Sequence, residues 1–378
     1  MANEHHPIEF LREARWLDAK RVRGYAVLVG IASLGLLMAS WIDAMGPRGS
    51  DFLAFWGAGR AVLEGVPQAA YDLAWQERVQ TSAGFDGWYA FVNPPPFLFL
   101  AAPFAALPYP AAWIAWVVLT YAAWAWVSVR AFPRLWPLAL VFPGALLVGG
   151  VALLDRRPLV AGALLGALIV KPHLALLVPF WLAAGGRWRA FVAAAASAVG
   201  LLVLSWLAFG TTTMVGYVNS WEASAAIMRS ADADFLLRMT TPYSQLRLYG
   251  GETLATAVAV LLALAMIALV VRGSRRFGQD GMATGALMLA ATALASPYLF
   301  NYDLPFLILP ILWLVSEGLQ KGFRPWETAL LVALWLAPYA TRAAALPLGL
   351  NLMPLASALL LWLVWSRGAV RERAPAAA

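Results

Sequence analysis

The chain contains no cysteine. That excludes disulfides, thiol nucleophiles and cysteine-ligated zinc. Charge is nearly as scarce, with 12% of the 378 residues charged, against about one quarter in soluble domains. No cluster of His, Asp or Glu has metal-ligand spacing, so no metal is expected. No P-loop, no His-Glu-x-x-His and no Gly-rich dinucleotide fingerprint on a soluble domain occurs, so no nucleotide and no cofactor is expected. The residue-by-residue alternation of an outer-membrane barrel is also missing.

What is present is apolar sequence. The chain is 62% hydrophobic with 19 Trp, and apolar runs recur from Tyr25 to Trp365. A spanning helix needs about 20 mostly apolar residues, and backbone groups in lipid must bond within their own segment. The fold class expected is therefore an all-α polytopic membrane protein of about 12 spans, a single integral membrane domain over residues 1–378. The net charge of +7 does not point to nucleic acid, because the cations sit in short connections, where they set orientation.

Arg12, Arg15, Lys20, Arg21 and Arg23 place segment 1–23 in the cytoplasm, and Gly24–Trp41 reads as a retained signal anchor. A first outer loop follows, 42–92. Asn93–Leu107, Ala111–Val129 and Leu135–Leu154 read as spans, ending inside at Asp155-Arg156-Arg157. Pro158–Ala184 is too long for one span, and Lys171-Pro172-His173 interrupts it. After Arg187-Trp188-Arg189, a span leads to a second outer loop, 210–251. The remaining spans end inside at Arg272–Arg276, at Lys321 and Arg324, and at a cytoplasmic tail, 367–378. Both termini are then cytoplasmic, in a cell inner membrane. Arg130 and Arg134 do not obey the charge rule.

In this topology Asp51, Arg60, Tyr71-Asp72, Lys171-Pro-His173 and Asn301-Tyr-Asp303 gather at the outer boundary. Ionisable groups near lipid are expensive and mark functional sites by default. Each also has a plain reading. Ser50 or Asp51 suits the N-cap of a helix over Phe52–Leu63, which could lie in the interface plane, and Asp72 suits the cap of a second. Arg60 can snorkel to headgroups. His173 can bond a carbonyl, and Asp303 can simply mark a span boundary. Lys171 beside a helix break resists such a reading, because an unpaired ammonium there is costly. Gly162-x-x-x-Gly166 reads as helix packing.

The string Asp51-Phe-Leu-Ala-Phe-Trp-Gly-Ala-Gly59-Arg60, with Leu63-x-Gly65 and Tyr71-Asp72 after it, resembles the signature of glycosyltransferase family 87. Phe91-Val-Asn-Pro-Pro-Pro-Phe97, Lys171-Pro172 and Ser296-Pro297 with Asp303 resemble its later motifs, in the same order. The chain departs from the family pattern in lacking a Gly-Gln-Asn-like stretch before Asp155 and in carrying Asn301-Tyr302-Asp303 where His is common.

The resemblance implies a GT-C bundle whose outer-loop helices form the active site. It implies an inverting hexosyltransferase, with mannose as the sugar, a polyprenyl-phosphate-sugar donor, and a glycan or glycolipid acceptor. By position Asp51 would be the general base, while Arg60, Tyr71, Asp72, Lys171, His173, Asn301 and Asp303 would bind substrate. Arg238 and Arg247 stand behind Lys171 as further cations for the leaving phosphate. A transporter or lipid flippase, or an inactive relative acting as a scaffold, are the alternatives.

Overall fold

A computed structural model describes residues 9, 12–14, 16–133, 135, 145–230 and 232–371. Arg15, Arg134, residues 136–144 of the expected span Leu135–Leu154, and residues 372–378 of the expected tail, Arg373 among them, lie outside these residues. The chain runs through α1 (Ala19–Ala44), α2 (Phe52–Leu63), a 3-10 turn (Pro67–Tyr71) and α3 (Leu73–Ser82). A second 3-10 turn (Pro95–Phe97) leads to α4 (Leu98–Ala105) and α5 (Tyr109–Ala131). Next come α6 (Ala145–Leu153), α7 (Pro158–Gly166) and α8 (Val178–Ala184), with 3-10 turns Ala167–Val170 and Pro172–Leu174 between the last two. The second half holds α9 (Trp188–Arg229), α10 (Ala233–Arg238), α11 (Pro242–Phe277) and α12 (Gly281–Ala295). A 3-10 helix (Asn301–Leu307) runs into α13 (Ile308–Lys321), followed by α14 (Glu327–Leu348) and α15 (Met353–Arg371).

Every regular element among the described residues is helical, as residues in lipid require. Six helices are long and apolar enough to cross a membrane, and five shorter apolar helices accompany them, beside the about twelve spans expected from sequence. The short ones have identifiable causes. Pro158–Ala184 breaks at Lys171, whose backbone (φ −141°, ψ 73°) ends one 3-10 turn and starts the next. Pro172 adds to the break, since it has no N–H to donate.

α12 is buried along nearly its whole length. A helix apolar all round belongs in a core, and α11, α13 and α15 pack against it. α7 lies against α9 so closely that a Cβ on Gly162 would sit 2.3 Å from the Ala190 carbonyl oxygen. One on Gly166 would sit 2.2 Å from that of Ala194. The Gly-x-x-x-Gly spacing therefore does pack helices, and Ser197 Oγ adds a bond to Ala163 O at 2.9 Å. α2 is pressed on α4, burying Phe52, Leu53, Ala54, Ala58 and Ala61.

Segment 210–251, the expected second outer loop, is largely helical among the described residues. Gly210 (φ 78°, ψ 167°) interrupts α9 and Gly251 (φ 81°, ψ 170°) interrupts α11. Only glycine adopts this region at low cost, and no neighbouring atom crowds either position. These two residues are therefore chosen for their dihedrals and turn the chain at both ends of the segment.

Candidate active site

Asp51 stands at the N-cap position of α2, but its own backbone is already helical (φ −51°, ψ −26°) and its side chain makes no capping bond. Ser50, the other candidate cap, exchanges a hydrogen bond with the Tyr109 hydroxyl at 3.0 Å. The capping reading of Asp51 is therefore overturned. Asp51 is exposed as a residue, with its carboxyl group set into surrounding protein and accepting no hydrogen bond among the described residues. Loss of hydration to the surrounding protein raises its pKa from the usual 3.8, Lys171 and Arg238 oppose that rise, and Asp303 adds to it.

Those three charges come from distant segments, and the fold brings them together by visible means. Asn93 Nδ2 reaches Val170 O at 3.5 Å, tying the first loop to the break before Lys171. Lys171 Nζ pairs with Asp303 Oδ1 at 2.5 Å; the lysine side chain is 32% exposed and the aspartate 3%. The costly ammonium thus has its partner, and the buried carboxylate its counter-charge. Asp303 Oδ2 also accepts the Phe300 N–H at 3.1 Å, closing the turn that carries it. Lys171 Nζ lies 5.2 Å from the centre of the Tyr302 ring, within cation–π range.

Arg238 is delivered by an isolated antiparallel bridge, Met239 with Phe300. The Thr240 N–H donates to Leu299 O at 2.9 Å, and Asn351 Nδ2 donates to Leu237 O at 2.9 Å and Met239 O at 3.1 Å. Arg247, the other expected cation, donates to Arg229 O at 3.0 Å and pairs with Glu252 at 3.9 Å.

His173 and Asn301 join the same group. His173 packs edge-on against Tyr298, ring centroids 5.8 Å apart. The carbonyl bond expected for it is not formed: its Nε2 is buried with no hydrogen-bond partner among the described residues. Asn301 gives its amide N–H to Pro338 O, while its Oδ1 is buried and unpartnered. Tyr298 is pushed up to about 12, by burial first and then by Asp303 and Asp51. Unpartnered buried polar atoms are uncommon and call for an explanation, and the charges acting on His173 are those of the Lys171–Asp303 pair.

Three expected site residues are placed otherwise. Arg60 pairs with Glu64 one turn along α2, at 3.1 Å on an exposed face. Tyr71 is buried, donates to Asn93 O at 2.9 Å, and packs against Phe91 and Tyr217. Asp72 caps α3, its Oδ1 accepting from Ala74 N at 2.9 Å and Trp75 N at 3.4 Å.

Sequence reasoning missed Arg342. It is half-buried on α14, and its charge and that of Arg238 repel. Neither arginine has an ion pair or hydrogen bond among the described residues. A lone cation in the apolar run Leu330–Leu348 was the available signal. Among the described residues, no group of three or more His, Asp or Glu is arranged to hold a metal.

The arrangement offers one free carboxylate in the field of Lys171 and Arg238, with Arg342 coupled to Arg238. That combination can take a proton from one group and hold an anion beside it. The family model for Glycosyltransferase family 87 matches residues 140–297. The matched stretch includes Lys171, His173 and Arg238 and stops before Asp303. No curated protein and no solved structure matches the chain. Over this stretch, somewhat under half of the chain, the sequence is similar to glycosyltransferase family 87.

Proposed function

We propose that this multi-pass membrane glycosyltransferase moves a hexose, mannose in the first instance, from a polyprenyl-phosphate donor to an acceptor hydroxyl, with inversion and with Asp51 as general base. The observation that carries this reading is the uncommitted Asp51 carboxylate within the field of Lys171 and Arg238.

The reaction needs two things from the protein. As the acceptor oxygen bonds to the anomeric carbon, its proton must leave, and Asp51 is the carboxylate free to take it. As the bond from that carbon to the donor phosphate breaks, the electron pair leaves with the phosphate. A phosphate monoanion becoming a dianion needs no proton, but it needs positive charge. Lys171 and Arg238 supply that charge, with Arg342 close to Arg238. A single carboxylate suffices for inversion, because attack and departure occur on opposite faces of the sugar. The raised pKa of Asp51 suits a base, since proton affinity grows with pKa.

On this reading the site opens on the outer face of a cell inner membrane with both termini in the cytoplasm. The support is the positive-inside pattern: Arg156, Arg157, Arg189, Arg272, Arg275, Arg276 and Lys321 all lie at helix ends opposite the Asp51 site along the chain's path. The lipid tail of the donor reaches the site from the side, between helices, and the acceptor arrives from water.

The test is transfer by purified protein in lipid, with radiolabelled polyprenyl-phosphate mannose and a panel of glycan and glycolipid acceptors. We expect Asp51→Asn to lower transfer by about 10²–10⁴-fold while thermal stability stays within about 0.5 kcal/mol, because no bond is lost. Full transfer by Asp51→Asn would remove Asp51 as the base. No transfer by the wild type would reject this donor.

A further inference from the structure

A second feature of the same end of the molecule is unused by the chemistry above. Where α1 ends, the first loop crosses and α5 begins, an open cleft of about 560 Å³ lies between Met45–Pro47, Trp56, Ala83–Asp86 and Pro108–Pro110. Small-molecule sites run from about 300 to 1,000 Å³.

Its walls are aromatic and fixed. Trp56 is held by its own N–H, donated to Leu107 O at 3.0 Å. The Phe85 and Tyr109 rings meet edge to face at 4.9 Å. Phe85 lies against Gly49, where an added Cβ would come within 3.1 Å of the ring. The Asp86 N–H donates to Pro47 O at 2.7 Å, pinning the loop across the cleft. The exposed Asp86 carboxylate has no hydrogen bond or ion pair among the described residues.

Tyr109 is shared between the cleft and the site. It lines the cleft and bonds Ser50, the neighbour of Asp51, at 3.0 Å. A molecule whose reacting hydroxyl is at Asp51 therefore has this cleft as its adjoining space.

We infer that the cleft is a subsite for the acceptor, taking a neutral sugar unit one or more residues away from the reacting one. Rigid aromatic walls stack on the apolar face of a sugar ring. A free carboxylate accepts from its hydroxyls and repels phosphate, which disfavours an anionic lipid headgroup. The inference rests on the acceptor being a glycan, as proposed above.

The test is binding, measured apart from transfer. Purified wild-type protein in neutral detergent is titrated by calorimetry with linear manno- and gluco-oligosaccharides of one to four units. We expect affinity to rise at least tenfold from one unit to the longer chains of one series, and Trp56→Ala and Asp86→Asn each to erase that gain. Asp86→Asn removes no hydrogen bond seen in the fold, so a folding defect does not explain its loss. No binding by either series, length-independent binding, or a gain that survives both variants would overturn the subsite. Tighter binding of anionic phospholipid vesicles in Asp86→Asn, with sugar binding absent, would give the cleft to lipid. If length-dependent binding holds while no donor supports transfer, the subsite stands and the assigned reaction falls.

Discussion

The two ends of the bundle treat charge in opposite ways. At the end near Arg367 the buried charges are paired. Glu327, 2% exposed, receives both Nε and Nη2 of Arg367, the first at 2.6 Å. Arg367 also reaches Gly322 O at 2.9 Å, and Arg324 bonds Ser366 through both Nη atoms. Asp155 behaves alike, pairing with Arg187 at 2.6 Å and accepting the Gly281 N–H at 3.0 Å. At the Asp51 end, Asp51, Arg238 and Arg342 have no partner among the described residues, and His173 Nε2 and Asn301 Oδ1 are buried without one. Paired buried charges fasten helices together, whereas uncommitted ones around a bonded pair mark a candidate functional site. Lys171–Asp303 is the hinge between the two behaviours, a bonded pair inside the unbonded group.

The largest effect should come from breaking the saturated end. Arg367→Ala leaves Glu327 buried without its counter-charge and should cost about 3–5 kcal/mol, read as a fall in thermal midpoint in detergent. Transfer per folded molecule should be unchanged. A stability loss as large in Asp51→Asn would erase the contrast between the ends.

Lys171→Met probes the hinge. Removing a cation beside the developing phosphate charge should lower the rate by about 10²–10³-fold. It should also shift the pH profile. Asp51 acts deprotonated, so the rate climbs as pH rises through its pKa, which already lies above 3.8 because of lost hydration. Lys171 favours the charged carboxylate, so its loss lifts that pKa further, and the ascending limb of kcat/KM against pH should move to higher pH. An unmoved limb would mean that the base is another group.

The smallest effect separates two aspartates of similar sequence setting. Asp72→Ala removes a cap with two bonds and should cost about 1 kcal/mol of stability, with transfer within a few-fold of wild type. A well-folded Asp72→Ala protein with severely reduced transfer would return Asp72 to the substrate site.

Much of the candidate site is legible in the amino-acid sequence, for physical reasons that differ by residue. Lys171 stands out because a lysine at a helix break in apolar sequence demands a partner, and it has one in Asp303. Asp51 and Asp72 are indistinguishable at that level, since each precedes a helix and either could cap it. Only the backbone dihedrals and the Ser50–Tyr109 bond separate them. Arg342 carries its signal openly, a lone cation in an apolar run, but the spacing does not say which neighbours it meets. The cleft has no sequence signal at all. Its walls come from segments around residues 46, 56, 85 and 109, and no local pattern encodes their meeting.

Composition and periodicity by themselves determined that this chain is helical and membrane-embedded, because lipid leaves the backbone no other partner. They also marked the breaks at Lys171-Pro172, since proline and a charge disrupt a helix by local chemistry alone. Tertiary structure decided which polar groups are spent on one another and which are left free. That depends on contacts across many residues, such as the 132 positions between Lys171 and Asp303, and chain neighbours have no influence over it.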